Sequence, residues 1–100
     1  MLAKTPKKKL DHVPAVAAMF KTLADPTRLK ILFTLQRGEA CVHEICAALA
    51  MSQPAVSHQL RTLRGARLVN TRRQGREIFY SLADQHVVEL IDTTIAHVGE

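Results

Sequence analysis

The chain has 100 residues, 47% of them apolar, with a formal net charge of +5 and two cysteines. That is enough for one soluble domain around one core and too little for two. No apolar run approaches the roughly 18 residues of a membrane span, no apolar segment follows the first lysines to make a signal peptide, and Cys41 and Cys46 are too few and too close for a disulfide framework, so a cytoplasmic protein without a membrane partner is expected.

A core this small would gain from further buried area at a homodimer interface. The positive charge is unevenly spread. Lys4, Lys7, Lys8 and Lys9 fall in the leader AKTPKKK, which is expected to be disordered over residues 1–10 ahead of one folded unit at 11–100. Without it the chain is close to neutral. From Ile45 to Arg76 there is nevertheless no Asp or Glu, while Arg61, Arg64, Arg67, Arg72, Arg73 and Arg76 all lie there.

A first helix is expected over 13–24, with Val16, Met19, Phe20 and Leu23 on one stripe. Asp25-Pro26 reads as an N-cap followed by proline in the first helical position, opening a second helix with Leu29, Leu32 and Phe33 on its apolar face; Gly38 ends it. A third helix runs from about Cys41 to Ala50, with Val42, Ile45 and Leu49 spaced along one side. After a break at Ala50-Met51, Ser52 caps a fourth helix, PAVSHQLRTLRGA, whose Val56, Leu60 and Leu63 face inward. Two helices joined by a tight turn make a helix-turn-helix.

Beyond Gly65 the period changes from helical to alternating. Residues 68–73 and 76–82 are β-rich and flank Gln74-Gly75, a hairpin turn, so they form a wing. Asp84 then caps a last helix. The expected fold is mainly α (α+β): a winged helix-turn-helix of five helices and a two-stranded hairpin, dimerising through its terminal helices.

On a wheel of about 100° per residue, Pro54, Ser57, His58 and Arg61 point away from the apolar side of the fourth helix, and Gln53 stands at its start. These side chains can reach base edges and phosphates in a major groove about 12 Å wide. With Arg64 in the same segment and Arg72, Arg73 and Arg76 on the wing, the spacing, the acid-free stretch and the hairpin all point to double-stranded DNA as the partner.

In the last helix, Val87, Val88, Ile91, Ile95 and Val98 cluster on one side, and His86, Thr93, His97 and Glu100 on the other. His86 and His97 lie about 16 Å apart along the axis, so one helix cannot close a chelate with them. An identical helix packed antiparallel across a twofold axis would bring His86 of one chain opposite His97 of the other. Two sites then arise, each with Asp84 and His86 from one protomer and His97 and Glu100 from its partner. Such a set of two imidazoles and two carboxylates suits tetrahedral Zn2+; Co2+ accepts the same ligands, and Ni2+ an enlarged shell.

Residues 23–82, through LADPTRLKIL, SQPAVSHQLRTLR and the RRQGREIFYSL hairpin, resemble the ArsR/SmtB family of metal-responsive winged-helix repressors. The pattern D-x-H, ten residues, H-x-x-E at 84–100 resembles the dimer-spanning site of the zinc-sensing branch. The resemblance implies an operator-bound apo dimer that zinc releases, derepressing a gene for metal efflux or sequestration. Pro54 departs from the family pattern, where a small polar residue is frequent. The family also has a second type of metal site on the third helix, for which Cys41 and Glu44 match and Asp11 or His12 would have to complete the set.

Rival readings are a thiol-based redox repressor using Cys41 and Cys46, and a metal-binding or dimerisation module without a DNA target. The cysteines stand five residues apart on one helix and point in different directions, so a disulfide between them needs unwinding. An enzyme is not expected: Ser57 and His58 diverge on their helix, and no carboxylate or oxyanion pocket accompanies them.

Overall fold

Three carboxylate or hydroxyl caps set where the main helices begin. Asp25 accepts from the Arg28 N–H at 2.9 Å, Ser52 from Ala55 N–H at 3.3 Å and Asp84 from Val87 N–H at 3.1 Å. Each satisfies a donor that the first helical turn would otherwise leave orphaned. Pro26 and Pro54 sit just inside two of these starts, where proline costs no helical hydrogen bond.

The computed structural model describes residues 3–99. Its elements are α1 (Lys7–Leu10), α2 (Val13–Leu23), α3 (Pro26–Gln36), β1 (Ala40–Cys41), α4 (Val42–Leu49), α5 (Gln53–Gly65), β2 (Val69–Gln74), β3 (Glu77–Leu82) and α6 (Gln85–Val98). This is the expected winged helix-turn-helix. Ala50, in the left-handed region at φ 52°, makes the tight turn between α4 and α5. No helix among the described residues is long and apolar enough to cross a membrane.

Several local expectations are corrected. The leader carries one helical turn, Lys7–Leu10, because the Pro6 carbonyl accepts from the N–H groups of both Lys9 and Leu10. The sheet has three strands, not two: Ala40–Cys41 pairs antiparallel with β3, giving the order β1-β3-β2, and α4 therefore starts at Val42 with Cys41 as its N-cap. Two residues are too few for an alternating pattern to register in sequence. The hairpin pairs Gln74 with Glu77, so its two-residue loop is Gly75-Arg76. Gly75, at φ +63°, occupies the first central position, the place a type II′ turn reserves for glycine.

Helix α5 closes on a left-handed arginine. Gly65 is its last residue, and Arg67 takes the left-handed conformation at φ 61°. Arg67 N–H donates to the Arg64 carbonyl and Leu68 N–H to the Leu63 carbonyl, both at 3.0 Å. That double bond pattern is a Schellman close, here on arginine instead of the usual glycine.

The core joins α3, α4, α5, the base of the wing and α6 through Ile31, Leu32, Ile45, Val56, Leu60, Leu63, Leu68, Val69, Val87 and Ile91. On α3 the buried side chains are Ile31, Leu32 and Leu35; Phe33 is 42% exposed and looks the other way. The stripe of α2 also divides: Met19 and Leu23 pack on the core, whereas Val16 and Phe20 are exposed. On α6 the core contact ends near Ile91, leaving Ile95 42% and Val98 72% exposed. Gln36 on α3 donates to Asp92 at 2.6 Å and ties α6 down midway.

Removing the Leu60 side chain from a site with no exposure should cost about 2–5 kcal/mol as Leu60→Ala, whereas Asp25→Ala, which removes one cap, should cost about 1 kcal/mol. Urea unfolding at fixed protein concentration checks the ranking, which fails if the two midpoints coincide.

Candidate nucleic-acid interface and metal-ligand positions

Because Val56, Leu60 and Leu63 are fully buried, the opposite side of α5 must face solvent. Gln53, His58, Arg61 and Arg64 are exposed and Ser57 is half-buried. A cleft of about 370 Å³ lies between the start of α5 and the wing, lined by Gln53 and Ser57 on one wall, Arg76, Ile78 and Tyr80 on the other, and His43 at the start of α4. Two of the expected helix residues and one expected wing arginine thus share a single concave surface. His43 and Tyr80 belong to it as well. Neither carries a signal in the sequence, where His43 is one polar residue in an apolar-periodic helix and Tyr80 reads as a strand residue.

Other expected contacts lie elsewhere. Arg64 borders a separate, polar hollow with Arg67, Asn70, Thr71 and Asp84, behind the wing. Arg73 and Arg76 are exposed, Arg73 donating through Nε to the Gly75 carbonyl at 3.3 Å. Arg72 is exposed too, its side chain 50% open, but its guanidinium is paired: Nη2 is 2.6 Å from Glu39 Oε1 and Nη1 donates to Gln74 Oε1 at 2.7 Å. That pairing holds the Glu39 carboxyl below the usual carboxylate range and raises the Arg72 guanidinium.

At the start of α6, His86 Nδ1 is 3.6 Å from Asp84 Oδ1, and both side chains are open to solvent, 92% and 55% exposed. A tetrahedral ion with bonds of about 2.1 Å spaces its donors about 3.4 Å apart. The separation of the two residues is close to one edge of such a site. Asp84 Oδ1 also accepts the capping bond from Val87; a carboxylate has a second oxygen for a cation. His97 is exposed in the last turn of α6, and Glu100 lies outside the described residues. Among the described residues, no three His, Cys, Asp or Glu side chains of a single chain come together as a ligand set.

That holds for the second group too. Glu44 accepts from the Cys41 N–H at 3.0 Å, capping α4, while His12 is exposed at the start of α2. Cys41 is buried and Cys46 half-buried against the core. Burial pushes the Cys41 thiol up, outweighing the hydrogen bond at Glu44, and the Glu77 carboxylate adds to the rise. A redox nucleophile must be a thiolate, so this environment opposes that use. Alkylation of Cys41 by iodoacetamide, followed against pH by mass spectrometry, should reach its half-maximal rate above the pH found for a free thiol; a midpoint below that pH would contradict the burial argument.

Comparison with known proteins agrees with this architecture. The family described as "Bacterial regulatory protein, arsR family" matches residues 25–71, from the α3 cap to the first half of the wing. A transcriptional repressor SmtB homolog from Synechocystis is 48% identical over 91% of this chain and 69% of its own length. A cadmium resistance transcriptional regulatory protein CadC homolog from Staphylococcus aureus is 37% identical, covering 85% of this chain and 71% of its own. Among solved structures, a homodimeric winged helix-turn-helix DNA-binding domain from Mycobacterium bovis superposes with a TM-score of 0.86 at 31% identity, over 99% of this chain and 92% of that one. The chain belongs to the ArsR/SmtB family of bacterial transcriptional regulators.

Proposed function

We propose that the chain is one half of a homodimeric, metal-responsive repressor that grips operator DNA through α5 and the wing and lets go when zinc binds between its two α6 helices. The observation that carries this reading is the Asp84–His86 pair, 3.6 Å apart and exposed on the first turn of α6, with His97 about three turns further along the same side. One protomer offers half a site, and an antiparallel copy supplies the other half as the partner's His97 and the partner's Glu100.

A dimer is supported by an apolar groove of about 570 Å³ running between α2, α3 and α6, lined by Phe20, Leu23, Phe33, Leu90, Ile95 and Val98. Most of these are residues that helical periodicity marks as inward-facing and that one chain leaves in water. A second copy would bury them, and the homodimeric relative from Mycobacterium bovis shares this fold over nearly the whole chain. That a relative is named for cadmium resistance supports a metal ion as effector.

Coupling between metal and DNA has a short backbone route available. Leu68 N–H donates to the Leu63 carbonyl at the end of α5, Ala83 N–H donates to the Leu68 carbonyl, and Asn70 Nδ2 donates to the Ala83 carbonyl at 3.1 Å. Ala83 immediately precedes Asp84. Fixing Asp84 and His86 against a second helix thus constrains the residue hydrogen-bonded to the end of the reading helix. Held by Asp84 and His86 of one protomer and by the partner's His97 and the partner's Glu100, zinc would supply a link between the two α6 helices; the protein would convert that link into a fixed separation of two α5 helices ill-suited to consecutive major grooves.

Such coupling must be reciprocal, at about 5–150-fold for the usual 1–3 kcal/mol. Calorimetric titration should show one zinc per protomer, bound that much more weakly when operator is present. His97→Ala should still bind operator but ignore zinc. Equal zinc affinities with and without operator would remove the mechanism, and a normal zinc response in His97→Ala would place the sensor elsewhere. The same release assay in buffered Co2+ and Ni2+ ranks the alternative effectors.

A further inference from the structure

The wing carries Arg72, Arg73 and Arg76, yet successive residues of a strand face opposite sides of the sheet. Register makes the division explicit. Arg73 pairs with Ile78, which lines the cleft beside Gln53, Ser57 and Arg76, whereas Arg72 pairs with Phe79, which does not line it. Arg72 and Arg73 therefore leave the sheet on opposite faces.

Although its side chain is 50% exposed, Arg72 is also engaged through Nε, Nη1 and Nη2. Its Cζ stands 5.1 Å from the centre of the Phe79 ring. Nε donates to both Glu39 oxygens at 3.2 and 3.1 Å, Nη2 to Glu39 Oε1 at 2.6 Å, and Nη1 to Gln74 Oε1 at 2.7 Å. Isolated exposed ion pairs contribute little to a protein, but a two-toothed arginine–carboxylate fork stacked on an aromatic face is the geometry that escapes that rule. Glu39 directly precedes β1, which runs straight into α4. The clamp thus spans the sheet from β2 over Phe79 to the strand that leads into the helix-turn-helix.

We propose that Arg72 is a positioning residue: with Glu39 and Phe79 it sets the angle of the wing against the helix-turn-helix, and the wing's phosphate contacts fall to Arg73 and Arg76. The inference rests on the wing meeting DNA. A phosphate contact needs only a cation, which lysine supplies; the clamp needs the planar fork, which lysine lacks.

The test uses the full chain and a fluorescein-labelled DNA duplex of mixed sequence, with affinity followed by anisotropy against salt. Removing one phosphate-binding cation flattens the slope of log affinity against log salt by about 0.9, hence by about 1.8 in a dimer with two wings. Arg73→Gln and Arg76→Gln should each do this. E39Q/R72Q, which keeps the net charge, should retain the wild-type slope, and Arg72→Lys should keep the slope while binding severalfold more weakly at fixed salt. A slope flattened in E39Q/R72Q as much as in Arg73→Gln would make Arg72 a phosphate ligand and overturn the proposal, as would wild-type affinity in Arg72→Lys, the variant that decides if the double change unfolds the protein. Unchanged slopes in both Arg73→Gln and Arg76→Gln would instead remove the wing from the DNA interface altogether, and with it the proposal.

Discussion

One buried stripe governs the rest of this structure. Val56, Leu60 and Leu63 of α5, all without solvent exposure, lock against Ile31 and Leu32 of α3 and Ile45 of α4. A helix held on one side by three fully buried side chains has its rotation about its own axis decided, so the direction of Gln53, Ser57, His58 and Arg61 is a consequence of packing. Burial stabilises by about 1.5–3 kcal/mol for each of those side chains, more than a polar group on the outward face can contribute. The outward face of α5, proposed to read DNA, is therefore aimed by the core and only tuned by its own polar groups.

The other apolar surface has the opposite character. Phe20, Phe33, Ile95 and Val98 line a groove that the single chain leaves open. In a domain of 100 residues, leaving several large side chains in water is a cost that a larger fold could avoid by adding a helix. A second copy is the simplest cover, since a twofold axis buries the same face of both chains at once. The division of α2, α3 and α6 into core-facing and outward-facing apolar sides fits this: each helix packs one side within the chain and leaves another that a second copy would cover.

How much of this is legible in the sequence depends on the range of the interaction. Caps at Asp25, Ser52 and Asp84 are local, and the structure has them with their hydrogen bonds. The inward residues of α5 follow from period alone. The division of Phe33 from Leu32 does not, because both are apolar and only the arrangement of the whole fold decides which interior each enters. Strand β1 leaves no mark because two residues carry no period. The cleft shared by His43, Gln53, Ser57, Arg76 and Tyr80 and the Glu39–Arg72 clamp, 33 positions apart, depend on long-range register that one sequence does not display. The spacing of Asp84, His86 and His97 is readable as a pattern, and the structure adds that the first two meet within one chain.

Asp84 joins two of these levels in one side chain. It caps α6 through Oδ1 and stands beside His86 at the same time, so the start of the helix and the geometry of a ligand pair are not independent. Its backbone neighbour Ala83 is hydrogen-bonded to Leu68, which in turn closes the end of α5. In the proposed mechanism, an ion held at this point would not have to push a helix bodily through the protein. Restricting how freely the α6 start can shift is sufficient, because a coupling of a few kcal/mol already changes occupancy by orders of magnitude. The advantage of the arrangement lies in distance: a single residue, Ala83, connects the first turn of α6, where the cation is proposed to bind, to the residue whose N–H closes the end of α5.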